Sequence, residues 1–156
     1  MNRNKRCESR ILRILAESIL AVLALKHFVL SPFIMSGESM NDSLKENDVI
    51  FALKMPAAKV VTLFSEKKLE SFISGKVVVI ENGGNYLAKR CAGVFGDTLV
   101  FLSEERADTF IVPSDSIFVI GDNFRNSNDS RSFGFVSKNK ISGVGFGKIN
   151  PFYKKI

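Results

Sequence analysis

The chain opens on a long apolar run and then changes rhythm. Residues 11–35 are mostly apolar, centred on Ser18-Ile-Leu-Ala-Val-Leu-Ala-Leu25, and they follow a basic flank of Arg3, Lys5, Arg6 and Arg10. A basic flank before an apolar helix is the pattern of a membrane segment whose N-terminus stays in the cytoplasm. A span needs about 20 mainly apolar residues, and Arg13, Glu17 and Lys26 interrupt this one. Arg13 and Glu17 stand four apart, so they can pair on one helix face. Lys26 can snorkel to an interface, because Ser31-Pro32 marks the exit from the helix. The pattern predicts a cytoplasmic basic N-terminus over 1–10, a transmembrane anchor over 11–33 and an extracytoplasmic domain over 34–156. An amphipathic helix on the membrane surface and a cleaved signal peptide are the competing readings.

After Ser36 the pattern shortens to that of strands. Asp48–Leu53, Gly75–Ile80, Tyr86–Val94, Thr98–Leu102, Ser116–Ile120 and Lys140–Phe146 are apolar or β-branched runs. Turn signals such as Asn82-Gly-Gly-Asn85, Gly96-Asp97 and Gly121-Asp-Asn123 bound them. Residues 57–74 are the exception. Val60, Val61, Phe64, Leu69 and Phe72 approximate helical spacing, which predicts one surface helix. Short strands at close intervals make the domain mainly β, an antiparallel sheet or barrel.

Composition narrows the chemistry. The only histidine is His27, within the apolar segment, so a histidine-based serine or cysteine site has one candidate base, and it is badly placed. Two cysteines, Cys7 and Cys91, are too few for a zinc site or a disulfide scaffold. No metal and no cofactor are expected. The formal net charge is +6. Much of the excess lies in the N-terminal flank, which fits a membrane surface better than nucleic acid.

Polar density beside the strands picks out three segments: Met35–Leu44, Tyr86–Gly93 and Gly121–Gly134. A serine nucleophile needs a base. With histidine unsuitable, the remaining base is a lysine held neutral by burial, far below its ordinary pKa of about 10.4. Lys89 is the candidate, since Leu87, Lys89 and Cys91 share one strand face. A lysine at a sheet edge with its head in water is the commoner arrangement. On the residues alone that alternative stays open.

Together the three segments resemble the type I signal peptidases of bacteria, membrane-anchored serine proteases with a Ser-Lys dyad. The first box of that family reads roughly Gly-x-Ser-Met-x-Pro-Thr-Leu; here it is Gly37-Glu-Ser-Met-Asn-Asp-Ser-Leu44. The lysine box matches throughout as Lys89-Arg-Cys-Ala-Gly-Val-Phe-Gly-Asp97. In the last box, Gly121 to Gly134, Phe124 stands where the family has arginine. The boxes occur in family order. The resemblance implies the antiparallel β core shared with self-cleaving LexA-type repressors, behind one N-terminal transmembrane helix.

It also implies roles. Ser39 corresponds to the nucleophile and Lys89 to its general base, with the Ser39 N–H donating to the oxyanion. Ser127 corresponds to the serine that orients the lysine amine, Asp129 and Arg131 to a supporting ion pair, and Asp122 to a further structural carboxylate. An extended peptide would lie between 34–36 and 87–89, over pockets that accept small side chains at P1 and P3. Met35, Ser36, Met40, Leu44, Leu87 and Ala88 fall at those positions. Gly37 lacks the hydroxyl that some relatives place there, and Ser36 is the available substitute. Asp42 and Ser43 replace a proline and a threonine, so the turn after Ser39 is less rigid.

The implied partners are preprotein signal peptides, cytoplasmic-membrane lipid and the secretion translocon. A specialised relative processing one substrate, such as a conjugative pilin, is a second reading. A non-catalytic binding protein on the same fold is a third. An autocleaving repressor would need a DNA-binding domain where the apolar segment stands.

Overall fold

The computed structural model of the chain describes residues 2–102 and 107–149. The side chains of residues 2–9, Cys7 among them, lie outside the described part, as does the expected domain's tail from residue 150. The chain begins with α1 (Asn2–Phe28), in which Arg13 and Glu17 form the expected pair at 2.8 Å. Among the described residues no helix is long and apolar enough to cross a membrane. The helix stops at Phe28, and residues 30–34 form the first strand rather than the end of an anchor.

Among the described residues nine strands follow: β1 (Leu30–Ile34), β2 (Val49–Lys54), β3 (Val77–Asn82), β4 (Asn85–Gly93), β5 (Thr98–Leu102), β6 (Ala107–Ile111), β7 (Ser116–Ile120), β8 (Val136–Ser137) and β9 (Ile141–Ile149). Seven make one antiparallel sheet in the order β1-β2-β9-β3-β4-β7-β8, and β5 pairs with β6 as a separate hairpin. The turn from β3 to β4 is the two-residue Gly83-Gly84, with φ of 59° and 84° at its glycines. Positive φ at both central residues suits the turn to the twist of a hairpin. β1 tolerates Pro32 because it is an edge strand, where a missing N–H costs no ladder bond.

The expected helix over 57–74 is two helices, α2 (Met55–Val61) and α3 (Glu66–Ile73). Thr62 explains the break. Its hydroxyl donates back to the carbonyls of Ala58 and Lys59 at 3.0 and 3.1 Å, which competes with helix continuation after the β-branched pair Val60-Val61. Ser65 then caps α3 by accepting from the Lys68 N–H.

Strand alternation sorts the interior into two clusters. Val78 and Ile80 of β3, Cys91 of β4, Ile117 and Val119 of β7, and Val144 of β9 build the main core with Leu69 and Ile73 of α3. The alternate residues Val77 and Ala88 face a smaller cluster with Met35, Met40, Leu44 and Ile50. The sheet curls enough to bring its first and fifth strands together: the rings of Phe33 and Tyr86 meet edge-on at 5.3 Å.

Ile80 is 1% exposed in the main core. Ile80→Ala should lower unfolding free energy by about 2–5 kcal/mol, read as a fall in the denaturation midpoint at unchanged slope. Val100→Ala, at an exposed position of β5, should change it by less than about 0.5 kcal/mol.

Candidate active site

The turn after β1 carries Ser39. Its backbone closes on itself, with Asn41 N–H donating to the Glu38 carbonyl and Leu44 N–H to the Met40 carbonyl at 3.1 and 2.7 Å. Met40 and Leu44 point inward and anchor the turn in the smaller cluster. The segment after β7 grips it from outside. Asn123 N–H donates to the Ser39 carbonyl at 3.0 Å, its side chain to the Glu38 carbonyl at 3.0 Å, and Asn126 to the Glu38 carboxylate at 2.9 Å. Gly121 is what allows this approach. A Cβ there would lie 2.1 Å from Ser127 Oγ and 2.5 Å from the Ser39 carbonyl oxygen.

Lys89 is 3% exposed, on the main-core face of β4 opposite Val78. Its amine donates to Ser127 Oγ at 3.1 Å. Burial lowers its pKa; Asp129 pulls it up and Arg131 pushes it down again. Asp129 has no exposed surface. It accepts from Gly121 N–H at 2.8 Å and from Arg131 Nε and Nη2 at 2.9 and 2.8 Å. Burial alone would raise its pKa, but the hydrogen bonds from Arg131, Gly121 and Ser127 outweigh that and hold it well below the usual carboxylate range. Arg131 also stacks on Phe124, with Cζ 3.8 Å from the ring centre. Phe124 therefore supports the ion pair.

Asp122 takes a different partner from Asp129. Arg90 grips it with two bonds of 2.7 and 2.6 Å, and the same guanidinium donates to Gly75 O at 2.9 Å and Ser43 Oγ at 3.2 Å. Sequence reasoning gave Arg90 no role. Opposite charges at fixed places in two matched boxes were the signal that could have found it.

The structure thus brings Ser39, Lys89, Ser127, Asp129, Arg131 and Asp122 into one region. The Ser39 hydroxyl forms no hydrogen bond among the described residues, and the Lys89 amine is turned to Ser127. Catalytic hydrogen bonds in a free enzyme are often loose and tighten with substrate. Met35, Met40, Leu44 and Ala88 lie together in the smaller cluster, and Ser36 is exposed at the mouth. Leu87 departs from its expected place: its side chain packs against the main core, on the face of Lys89. His27 is remote in α1, its carbonyl accepting from the Lys54 amine at 2.5 Å. Cys91 is a free, buried thiol whose pKa is pushed up to about 11 by burial.

One further feature has functional shape. β7 pairs with β4 only from Arg90 onward, so residues 85–89 have a free edge on that side. β1 is the terminal strand and has another.

The profile of the family described as signal peptidase, peptidase S26, matches residues 9–105 and 100–149. The chain belongs to the signal peptidase family, peptidase S26. It is a serine-protease hydrolase of the type I signal peptidase kind. Signal peptidase I of Bacillus amyloliquefaciens is 27% identical over 164 residues, covering 86% of this chain and 83% of that protein. A mitochondrial ATP-independent inner membrane protease subunit 1b of Arabidopsis thaliana is 36% identical over 93 residues, 55% of each chain. The crystal structure of a signal peptidase I from Enterococcus faecalis shares 26% identity at a TM-score of 0.40, over 46% of this chain and 93% of that one. Within this family the expected mainly antiparallel β domain is what the chain forms.

Removing the buried charge should show how far the site depends on it. Asp129→Asn leaves Arg131 without its carboxylate and should cost about 3–5 kcal/mol of stability, read by denaturant unfolding at neutral pH. Because the folded carboxyl titrates below the unfolded one, its contribution is present above about pH 4 and declines as pH falls. The gap between the two proteins should therefore narrow in acid.

Proposed function

We propose that this signal peptidase removes N-terminal signal peptides from exported preproteins with a Ser39/Lys89 dyad. The observation that carries this reading is the burial of Lys89 with its amine against Ser127, next to the turn that holds Ser39. A buried lysine with one neutral acceptor is favoured in its uncharged form. Ser127 occupies one N–H and leaves the lone pair for the Ser39 proton. Attack of Ser39 on the scissile carbonyl gives an acyl-enzyme, with the proton passing to Lys89 and then to the leaving amine. Water, deprotonated by the same lysine, releases the signal peptide and frees Ser39. The Ser39 N–H would donate to the developing oxyanion.

The substrate would bind as an added strand between the free edges of β1 and β4. Met35, Met40, Leu44 and Ala88 fill the space beneath that slot. Pockets lined by these side chains would favour small residues at P1 and P3.

The basic flank and the apolar run of α1 support a single-pass anchor in the cytoplasmic membrane, with the catalytic domain outside. Lipid and the secretion translocon are then neighbours of the enzyme. Membrane fractions extracted with alkaline carbonate should retain the chain. Its release would contradict the span.

Purified chain in detergent should cleave a preprotein after a small-x-small motif. Ser39→Ala and Lys89→Ala should each reduce cleavage to background while circular dichroism stays unchanged, and persisting cleavage in either variant would refute the dyad. Since the base must be neutral, kcat/KM should rise with pH through the pKa of Lys89, with this limb below the ordinary lysine range.

A further inference from the structure

One residue holds both peptide units that flank the Ser39 Cα. The Asn123 backbone N–H donates to the Ser39 carbonyl at 3.0 Å, and its side-chain amide donates to the Glu38 carbonyl at 3.0 Å. The first bond fixes the peptide that leaves Ser39, and the second fixes the peptide that enters it. Asn41 N–H adds another donor to the Glu38 oxygen at 3.1 Å from within the turn. The fold sets Asn123 in turn: Asn126 N–H donates back to its carbonyl at 3.1 Å, and Gly121 lets the segment come this close to Ser39.

A trans peptide unit is planar, so its C=O and N–H point in opposite directions. The Glu38 carbonyl points at Asn123. The Ser39 N–H, on the same peptide, therefore points away from the segment after β7. It has no acceptor among the described residues. The chain that enters this peptide supplies no restraint of its own, because Gly37 is exposed and has a φ of 86°, a conformation open to glycine and free of side-chain packing. Asn126 holds the Glu38 carboxylate at 2.9 Å, but a bond to the side chain leaves the peptide plane free to turn. Only the bonds to the Glu38 oxygen fix that plane. They also polarise the amide, which strengthens its N–H as a donor.

We propose that Asn123 is a positioning residue for the reaction: by holding the Glu38 carbonyl it aims the Ser39 N–H at the oxyanion that forms on the substrate. This rests on Ser39 as the nucleophile. A donor fixed in advance costs no reorganisation when charge develops, which is what makes it effective in the transition state. Asparagine suits the place because its short amide reaches the Glu38 oxygen while its own N–H reaches the Ser39 oxygen. Aspartate would bring no donor.

Asn123→Ala removes the side-chain donor and leaves the backbone one. On a preprotein with a small-x-small motif it should lower kcat by about tenfold to a hundredfold with KM little changed, because the aimed N–H acts on the transition state alone. The pH limb of Lys89 should stay where the wild type has it, since Lys89, Ser127 and Asp129 keep their bonds. Asn123→Gln keeps the donor on a stem one methylene longer and should recover part of the loss; should Asn123→Ala fail to fold, it carries the comparison alone. A peptide aldehyde reports on the same N–H without turnover: Ser39 Oγ bonds to the aldehyde carbon, its proton passes to Lys89, and the carbonyl oxygen becomes an alkoxide. Its affinity should fall by the same factor as kcat. In the ligand-free full chain in detergent, the ¹⁵N order parameter of the Ser39 amide should drop from about 0.85 toward about 0.6 in Asn123→Ala. If the wild type cleaves nothing, the dyad reading fails, and the Ser39 order parameter still decides whether Asn123 holds the peptide. An active wild type with an equally fast Asn123→Ala, a loss confined to KM, or a displaced pH limb would overturn the proposal and leave the dyad standing. An unchanged order parameter would overturn it in either case.

Discussion

A carboxylate with no exposed surface organises this site. Asp129 is buried at the start of a four-residue helix, Ser130–Phe133, and satisfies its oxygens with Arg131, Gly121 N–H and Ser127. A lone buried carboxylate would be costly, and one that is paired and hydrogen-bonded is strongly held. That hold fixes residues 121–131 as a unit. The unit then reaches the Ser39 turn through Asn123 and Asn126, and Lys89 through Ser127.

The same pair sets the electrostatics of Lys89. An uncompensated carboxylate nearby would stabilise the ammonium. Burial is the largest influence and lowers the pKa of the amine, Asp129 raises it, and Arg131 lowers it again. The second ion pair has a different reach: Arg90 and Asp122 tie the β4 strand, the turn at Gly75 and the Ser43 hydroxyl together. One pair sits beside the Lys89 amine, and the other joins the segments around it.

Much of the strand pattern was legible in the sequence, because β-branched runs between Gly and Asn turns have few other uses. β1 was legible only through the resemblance, which set a strand at about 34–36; it lies at Leu30–Ile34, where Ser31-Pro32 reads as a helix exit and proline argues against a strand except at an edge. The break between α2 and α3 was missed because apolar spacing persists across it, while a single Thr62 hydroxyl interrupts the backbone. At the site, the alternation Leu87-Lys89-Cys91 gave the buried face of Lys89, but the same alternation puts Leu87 in the core and away from the substrate slot. Gly121 carried no signal beyond a turn. Its need for glycine comes from the Ser39 carbonyl and Ser127, 82 and 6 residues away in sequence, and only the folded chain brings them there.

The proposed role of Lys89 as a base depends on its burial against Ser127, with Asp129 paired to Arg131. Direct titration of the Lys89 amine by NMR tests it, using the Lys89→Ala spectrum to assign the signal. The amine should lose its proton below the ordinary lysine pKa of about 10.4. An amine that titrates at or above that value would contradict it, whatever the rate of cleavage.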